Sequence, residues 1–182
     1  MKARLVTLAL IIVALAVAGC GNKPGKPLTI IDGTLALRGS MPNPDLVLEA
    51  DEGPDVLLEA DDFATEMRML RGMRVSIQGD AESKLKNDMI VLKVKRYTLL
   101  RLPSGEMPVM GWLEVDGVNL ILHGGDGKKY WIRGDLEGVI RDFKDAKIWV
   151  VGTLGELGAG SGAPPNTIPY WVTGYGVLQQ AR

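Results

Sequence analysis

The chain of 182 residues contains one cysteine, one histidine and only two phenylalanines. A single cysteine excludes an internal disulfide. One cysteine and one histidine together are too few for a zinc site built from nitrogen and sulfur ligands. A histidine-dependent catalytic triad would have to use His123. We therefore predict no catalytic residues, no metal site and no cofactor, and we expect the protein not to be an enzyme.

The sequence also lacks a comfortable membrane span, because its N-terminal apolar stretch is shorter than the roughly 20 residues that a spanning helix needs. This stretch, Leu5–Ala18, carries no charge and follows Lys2 and Arg4. Basic residues, a short apolar run and small residues before a cleavage point are typical of a secretory signal. We interpret residues 20–27, which are polar, as a tether.

Residues 17–20 read Val-Ala-Gly-Cys and resemble the bacterial lipobox position by position. The resemblance implies cleavage between Gly19 and Cys20 and acylation of Cys20, with chains such as palmitate. Each buried methylene contributes about 0.8 kcal/mol, so two or three acyl chains hold a protein stably on a membrane. Gly21 follows in place of aspartate, which by the same resemblance implies the outer membrane, facing the periplasm, in a Gram-negative cell. An ordinary signal peptide or an uncleaved helix is the alternative.

An excess of positive charge is absent as well. The chain has 21 Lys and Arg against 22 Asp and Glu, and removal of residues 1–19 takes Lys2 and Arg4 away. Broad binding to phosphate groups needs a basic surplus. The composition therefore argues against nucleic acid as a partner.

Short β-like runs separated by some of the 23 glycines dominate what is present. The runs occur twice along the chain, with the first and last strands of the two halves 78 positions apart, and each half reads as three strands, a short helix and two strands. The first half has predicted strands at 33–39, 46–49, 56–59, 72–79 and 90–100 with a helix at 62–70; the second has strands at 111–117, 120–123, 130–133, 145–152 and 168–178 with a helix at 135–143.

This order of elements resembles the OB fold, a five-stranded barrel. The run Gly-x-x-Val-x-Ile-x-Gly at 72–79 is similar to the fourth-strand entry of bacterial OB domains of the tRNA-anticodon-binding class, which also occur in periplasmic proteins. We predict an all-β protein with short helices. A signal peptide (1–19) and a lipidated tether (20–27) precede two tandem five-stranded OB-like barrels at 28–102 and 108–180. A generic β-sandwich or one intertwined barrel is the alternative.

Several polar patterns are interpreted as structural. Asp62 and Asp135 begin the predicted helices and can cap their first amides. Carboxylates between residues 51 and 62 lack the spacing of a calcium-binding EF-hand, so we expect a solvated acidic hairpin. The glycine-rich residues 124–129 join two strands and form a turn. His123 is interpreted as a strand-end residue at a hairpin; the alternative is a general base or a metal ligand on a turn, together with Asp126.

All four tryptophans fall in the second half, where they align approximately with Thr34, Leu57, Ser76 and Lys93 of the first half. They are Trp112, Trp131, Trp149 and Trp171. Trp112 and Trp149 are out of phase with their aliphatic neighbours, which predicts that they face outward. Aromatic side chains anchor protein interfaces and stack on sugars and bases. We treat the four as candidate partner-binding residues, with barrel core as the alternative.

These features together predict a lipid-anchored envelope protein without catalytic activity, which binds or assembles with a protein or glycan partner. One alternative is an oligonucleotide-binding protein, suggested by analogy with other OB folds. Another is a cell-wall hydrolase, which would require two carboxylates facing each other across one cleft.

Overall fold

The computed structural model describes residues 28–40, 42–86, 88–156 and 162–180. The signal peptide, the tether and Cys20 lie outside the described residues, so those predictions stay predictions. Among the described residues, no helix combines the length and the hydrophobicity needed to cross a membrane.

Strands make up most of both halves. In chain order they are β1 (Thr29–Arg38), β2 (Asp45–Ala50), β3 (Val56–Glu59), β4 (Arg74–Lys86), β5 (Met89–Arg101), β6 (Val109–Asp116), β7 (Asn119–Gly124), β8 (Lys129–Arg133), β9 (Lys147–Leu154) and β10 (Ile168–Gln179). A 3-10 turn (Asp61–Phe63) runs into helix α1 (Ala64–Met69), and helix α2 (Glu137–Arg141) lies between β8 and β9.

The strands close into two barrels with the same order. The first barrel is β1-β2-β3-β5-β4 and the second is β6-β7-β8-β10-β9. In each barrel one pair is parallel, β3 with β5 and β8 with β10, and the other pairs are antiparallel. The predicted fold class, all-β with short helices and OB-like five-stranded barrels, is confirmed. The predicted domain ranges 28–102 and 108–180 enclose the two sets of strands.

Alternation along each strand fills the barrels. Leu48, Ile77 and Leu92 are fully buried in the first barrel, and Leu122 and Ile132 in the second. Each such aliphatic side chain contributes about 1.5–3 kcal/mol by leaving water. Each helix adds an apolar residue to its own barrel core, namely Met67 from α1 and Ile140 from α2.

Two glycines at matching positions allow the first strand of each barrel to cross its neighbour closely. A Cβ atom on Gly33 would collide with the backbone oxygen of Glu49, and one on Gly111 with the backbone oxygen of His123. β1 turns from β4 toward β2 around Gly33. The repeated glycine is therefore required by backbone contact in both barrels.

The predicted aspartate caps are wrong. Helix α1 begins after Phe63 and helix α2 after Leu136, and neither has a side-chain cap bond. Asp62 lies inside the 3-10 turn, whereas a capping residue needs an extended, non-helical backbone. Both helices are also shorter than two full turns, so barrel packing rather than capping holds them.

The predicted strands at 72–79 and 90–100 leave a connection at 80–88, and most of this polar connection is strand in the structure. β4 continues through it to Lys86 and pairs with β5 as far as Lys86 opposite Met89. An ion pair between Lys95 Nζ and Asp80 Oδ2, at 3.6 Å, joins the two strands. Charged residues are compatible with strand here because Glu82 and Lys86 are exposed to solvent.

A buried polar cluster lies where the two barrels meet. Lys147 Nζ on β9 donates to Glu66 Oε2 on α1 at 2.6 Å and to the Tyr97 hydroxyl on β5 at 3.2 Å. Tyr97 also donates to Glu66. Burial, and then this hydrogen bond to Glu66, raise the pKa of Tyr97. Apolar residues of the second barrel, including Val151 and Leu178, pack against the first-barrel core beside the cluster.

Candidate functional site

The outer surface of the second barrel carries a group of aromatic and basic side chains. At least one neighbour of each of them along the strand belongs to the core, such as Leu113 beside Trp112, Leu122 beside His123 and Ile132 beside Trp131. Alternate residues of a strand point to opposite faces. We call seven outward residues of β6, β7, β8 and β10 the tryptophan wall: Trp112, Ile121, His123, Lys129, Trp131, Arg133 and Trp171. The carboxylate of Glu114 on β6 faces outward beside them, opposite Ile121.

Strand register orders the wall into rows. Trp112 lies opposite His123, which lies opposite Lys129. Trp131 follows in the middle of the wall, and Arg133 lies opposite Trp171 at the far end. The wall therefore has an indole at each of two opposite corners, with basic side chains beside them.

Exposure differs among the wall's indoles. Trp112 is 48% exposed and Trp171 is 50% exposed, whereas Trp131 is 7% exposed. The guanidinium carbon of Arg133 lies 4.5 Å from the ring centroid of Trp131, a cation–π contact. Among the described residues, the indole nitrogen of Trp131 has no hydrogen-bond partner. The two exposed indoles are the ones available to an incoming ring.

Trp149 occupies a different place. It lies on β9, where it packs partly buried against the core of the first barrel. A Cβ atom on Gly176 would collide with its indole, so that glycine makes room for the ring. The outward side of the second barrel is here covered by the first barrel. The structure thus brings three of the four candidate tryptophans onto one surface and separates the fourth.

His123 lies within the wall, on β7. Its Nε2 atom makes an ion-pair contact with Glu114 of the neighbouring strand. Asp126 instead accepts the Tyr130 hydroxyl at 2.7 Å and the Lys128 amide at 3.1 Å. Burial alone would raise the pKa of Asp126, but these hydrogen bonds outweigh it and lower the pKa below its usual value. The glycine-rich segment between β7 and β8 is a turn, as its position between two strands predicts.

The acidic hairpin of the first barrel is held by cations. Asp55 pairs with Arg38 at 2.7 Å, and Asp51 pairs with Arg74. Within the described part of the chain, no group of three or more His, Cys, Asp or Glu side chains is arranged to hold a metal ion.

Lys129, Arg133 and His123 were not singled out as binding residues by sequence reasoning. Their signal was the same alternation that places the tryptophans. Each lies two residues from another wall position on its strand: Lys129 and Arg133 flank Trp131, and His123 follows Ile121. Pairing between strands, which the sequence alone does not specify, is what joins them into one surface.

No protein-family model matches the sequence, and no curated protein matches it. The search of solved structures found the wild-type single-stranded DNA binding protein from Thermus aquaticus, at 12% identity with a TM-score of 0.29, covering 86% of this chain and 96% of that chain. It also found a deletion mutant of that protein, at 13% identity with a TM-score of 0.28, covering 84% and 94%.

The expectation that nucleic acid is an unlikely partner is wrong as it was argued, and both similar structures are single-stranded DNA binding proteins. The argument from composition fails because net charge describes the whole chain, whereas a binding surface is one face of it. On the wall, exposed indoles stand beside Lys129 and Arg133, although the chain as a whole has a formal net charge of −1.

Proposed function

We propose that this chain is a non-catalytic binding protein for single-stranded nucleic acid, and that the tryptophan wall is its binding surface. The observation that carries the proposal is the pair of half-exposed indoles, Trp112 and Trp171, on one outer face. That face belongs to the second and third strands of the barrel and their neighbours, the surface that OB folds use for oligonucleotides. Indoles stack on bases of any sequence.

The dimensions of the wall suit a short single strand. Trp112 and Trp171 are three strands apart across the sheet and four residues apart along it, as their pairing shows. Strand spacings of about 4.8 Å and a rise of about 3.3 Å per residue separate them by about 20 Å. Stacked bases rise about 3.4 Å each, so the wall spans on the order of six nucleotides, within the range known for one OB fold.

The charges of the wall favour stacking over phosphate binding as the main source of affinity. Lys129 is exposed, and within the described residues it has no ion pair; Arg133 lies 3.7 Å from Glu137. The carboxylate of Glu114 contacts Nε2 of His123 on the same face and adds a negative charge to it. With Lys129 and Arg133 each facing a phosphate, the logarithm of the affinity for a single strand should fall with the logarithm of the salt concentration with a slope of about −1.4.

The proposal is tested by titrating the full-length chain with a fluorescently labelled six-nucleotide oligothymidylate. Trp112→Ala and Trp171→Ala should each weaken binding, because loss of one stacked base costs about 1–3 kcal/mol, or roughly 5- to 150-fold. Trp149→Phe is the matched control, since that ring lies between the barrels. No binding by the wild-type chain at low salt, or equal losses in all three variants, would contradict the proposal.

We further propose that Cys20 is lipidated and holds this binding surface at a membrane of the cell envelope. The support is the sequence Val-Ala-Gly-Cys at the end of an apolar stretch that follows two basic residues. Cells fed labelled palmitate should transfer the label to the wild-type chain and not to Cys20→Ser. Equal labelling of both would show that the anchor lies elsewhere.

A further inference from the structure

A cleft of about 620 Å³ lies between the two barrels. Three segments line it: Arg96–Leu99 of β5, Pro108–Met110 at the start of β6, and the turn residues Gly125 and Asp126. The cleft is therefore formed jointly by the first barrel, the connection between the barrels and one turn of the second barrel.

The cleft begins where the tryptophan wall ends. Met110 precedes Trp112 by two residues and Gly125 follows His123 by two, so both continue the row that Trp112 and His123 form. The Gly125 amide donates to the Met110 carbonyl at 2.9 Å. Two residues along a strand advance about 6.7 Å, which is one to two nucleotides beyond the wall.

The chemistry of the cleft suits a nucleotide. Pro108 and Met110, both half-buried, provide apolar lining for a base. Arg96 is exposed at the rim, and no ion pair engages it within the described part of the chain. A guanidinium recognises phosphate through two parallel hydrogen bonds. The carboxylate of Asp126 is already engaged by Tyr130 and Lys128.

We propose that a single strand lying on the tryptophan wall continues into this cleft, where Arg96 binds a backbone phosphate and the apolar lining takes a base. This inference rests on the proposed function of the wall. It assigns a nucleotide subsite to the first barrel, which supplies Arg96, and it makes the two barrels one continuous site for strands longer than the wall.

The test compares a six-nucleotide and a twelve-nucleotide oligothymidylate on the full-length chain at several salt concentrations. The wild-type chain should bind the longer strand with a salt slope steeper by about 0.7, because one more phosphate contact releases its counterions. Arg96→Gln should remove that difference and weaken binding of the longer strand on the order of tenfold. Binding of the shorter strand should stay unchanged.

Two further variants sharpen the test. Thr98→Glu places a negative charge at an exposed cleft position and should weaken only the longer strand, whereas Lys95→Gln, whose lysine is directed to Asp80, should change neither. If Arg96→Gln weakens both strands equally, or neither, the cleft proposal is overturned and the wall stands. If the wild-type chain binds neither strand, the proposed function of the wall itself has failed.

Discussion

Glu66 carries a carboxylate into the boundary between the barrels, where the residue is 7% exposed. Lys147 and Tyr97 both donate hydrogen bonds to it. The attraction within a buried ion pair is largely offset by the loss of hydration, so the pair adds little net stability. Removal of one partner is different, because it leaves a buried charge without compensation. The cluster therefore acts mainly by fixing which surfaces of the two barrels meet.

Lys147→Met should lower the free energy of unfolding by about 3–5 kcal/mol, since Glu66 would stay buried and charged. The double variant Glu66→Gln with Lys147→Met should recover most of the loss. Lys144→Met, at an exposed position of the same segment, should change stability by less than about 0.5 kcal/mol. Urea unfolding curves measure all three, and a Lys147→Met curve that overlays the wild-type curve would contradict the prediction.

Tyr130 gives the second barrel a sensitivity to alkaline pH. Burial, and then its hydrogen bond to Asp126, raise the pKa of Tyr130 to about 12. The folded state therefore keeps the hydroxyl proton at a pH where the unfolded chain, with a pKa near 10, has released it. Stability from this group is complete below about pH 10 and is lost as the pH rises toward 12.

Tyr130→Phe should reduce this alkaline loss. Between pH 9.5 and 11 the wild-type free energy of unfolding should fall by about 1 kcal/mol more than that of the variant. At neutral pH the variant should be less stable by about 1 kcal/mol, because it lacks the hydrogen bond to Asp126. Parallel pH curves from urea unfolding would show that the hydroxyl does not contribute in this way.

At the scale of the strand, β6 carries Gly111 although glycine has a low strand propensity. The reason is that the backbone of β7 passes too close to Gly111 for a side chain to fit. Gly111→Ala should lower stability by about 1–3 kcal/mol, because the added Cβ meets the backbone oxygen of His123 and the strands must separate. Gly138→Ala in α2 is the matched control. Nothing lies within 4 Å of its added methyl group, so the higher helix propensity of alanine should raise stability by about 0.5–1 kcal/mol. In thermal unfolding, the melting temperature should be lower than wild type for Gly111→Ala and higher for Gly138→Ala.

The sequence predicted the elements whose signal is local. The run Val56–Glu59 is a strand with the predicted bounds, because apolar β-formers lie between turn residues. The predicted helix start at Asp62 and the predicted end of the strand at Gly79 were wrong. Both boundaries depend on contacts with other parts of the fold, which the local sequence does not show. Helix α1 is preceded by a 3-10 turn that has no side-chain cap. The β4–β5 hairpin extends through charged residues, and an ion pair between Lys95 and Asp80 joins its two strands.

The candidate site was predictable in part. Alternation places Trp112 out of phase with Leu113. Trp131 and Trp171 have apolar neighbours on both sides, so alternation could not assign their face; in the structure they lie outside, beside core residues Ile132 and Val172. The sequence could not join these three residues, because β8 and β10 pair in parallel across the 34 residues between Arg133 and Ile168. The sequence also could not show that Trp149 lies apart from the other three tryptophans, because the residues that cover it belong to the first barrel.

For the whole molecule, the duplicated fold carries an unequal distribution of surface chemistry. The first barrel has Thr34, Leu57 and Lys93 where the second has Trp112, Trp131 and Trp171. Leu57 is 2% exposed, and Lys93 lies 3.4 Å from Asp61. A surface without exposed aromatic rings offers no stacking platform. The first barrel therefore lacks a wall of its own, and its proposed contribution is limited to the cleft.

One short strand should bind per chain. Titration of the full-length chain with the six-nucleotide oligothymidylate, at concentrations well above the dissociation constant, should end at a ratio of one, whereas a ratio of two would mean that the barrels bind independently. Thr34→Trp combined with Lys93→Trp places the two exposed indoles on the first barrel and should raise the ratio toward two, since stacking tolerates any base. The same substitutions should leave the affinity of the original site unchanged, because they lie on the other barrel and share no wall residue with it.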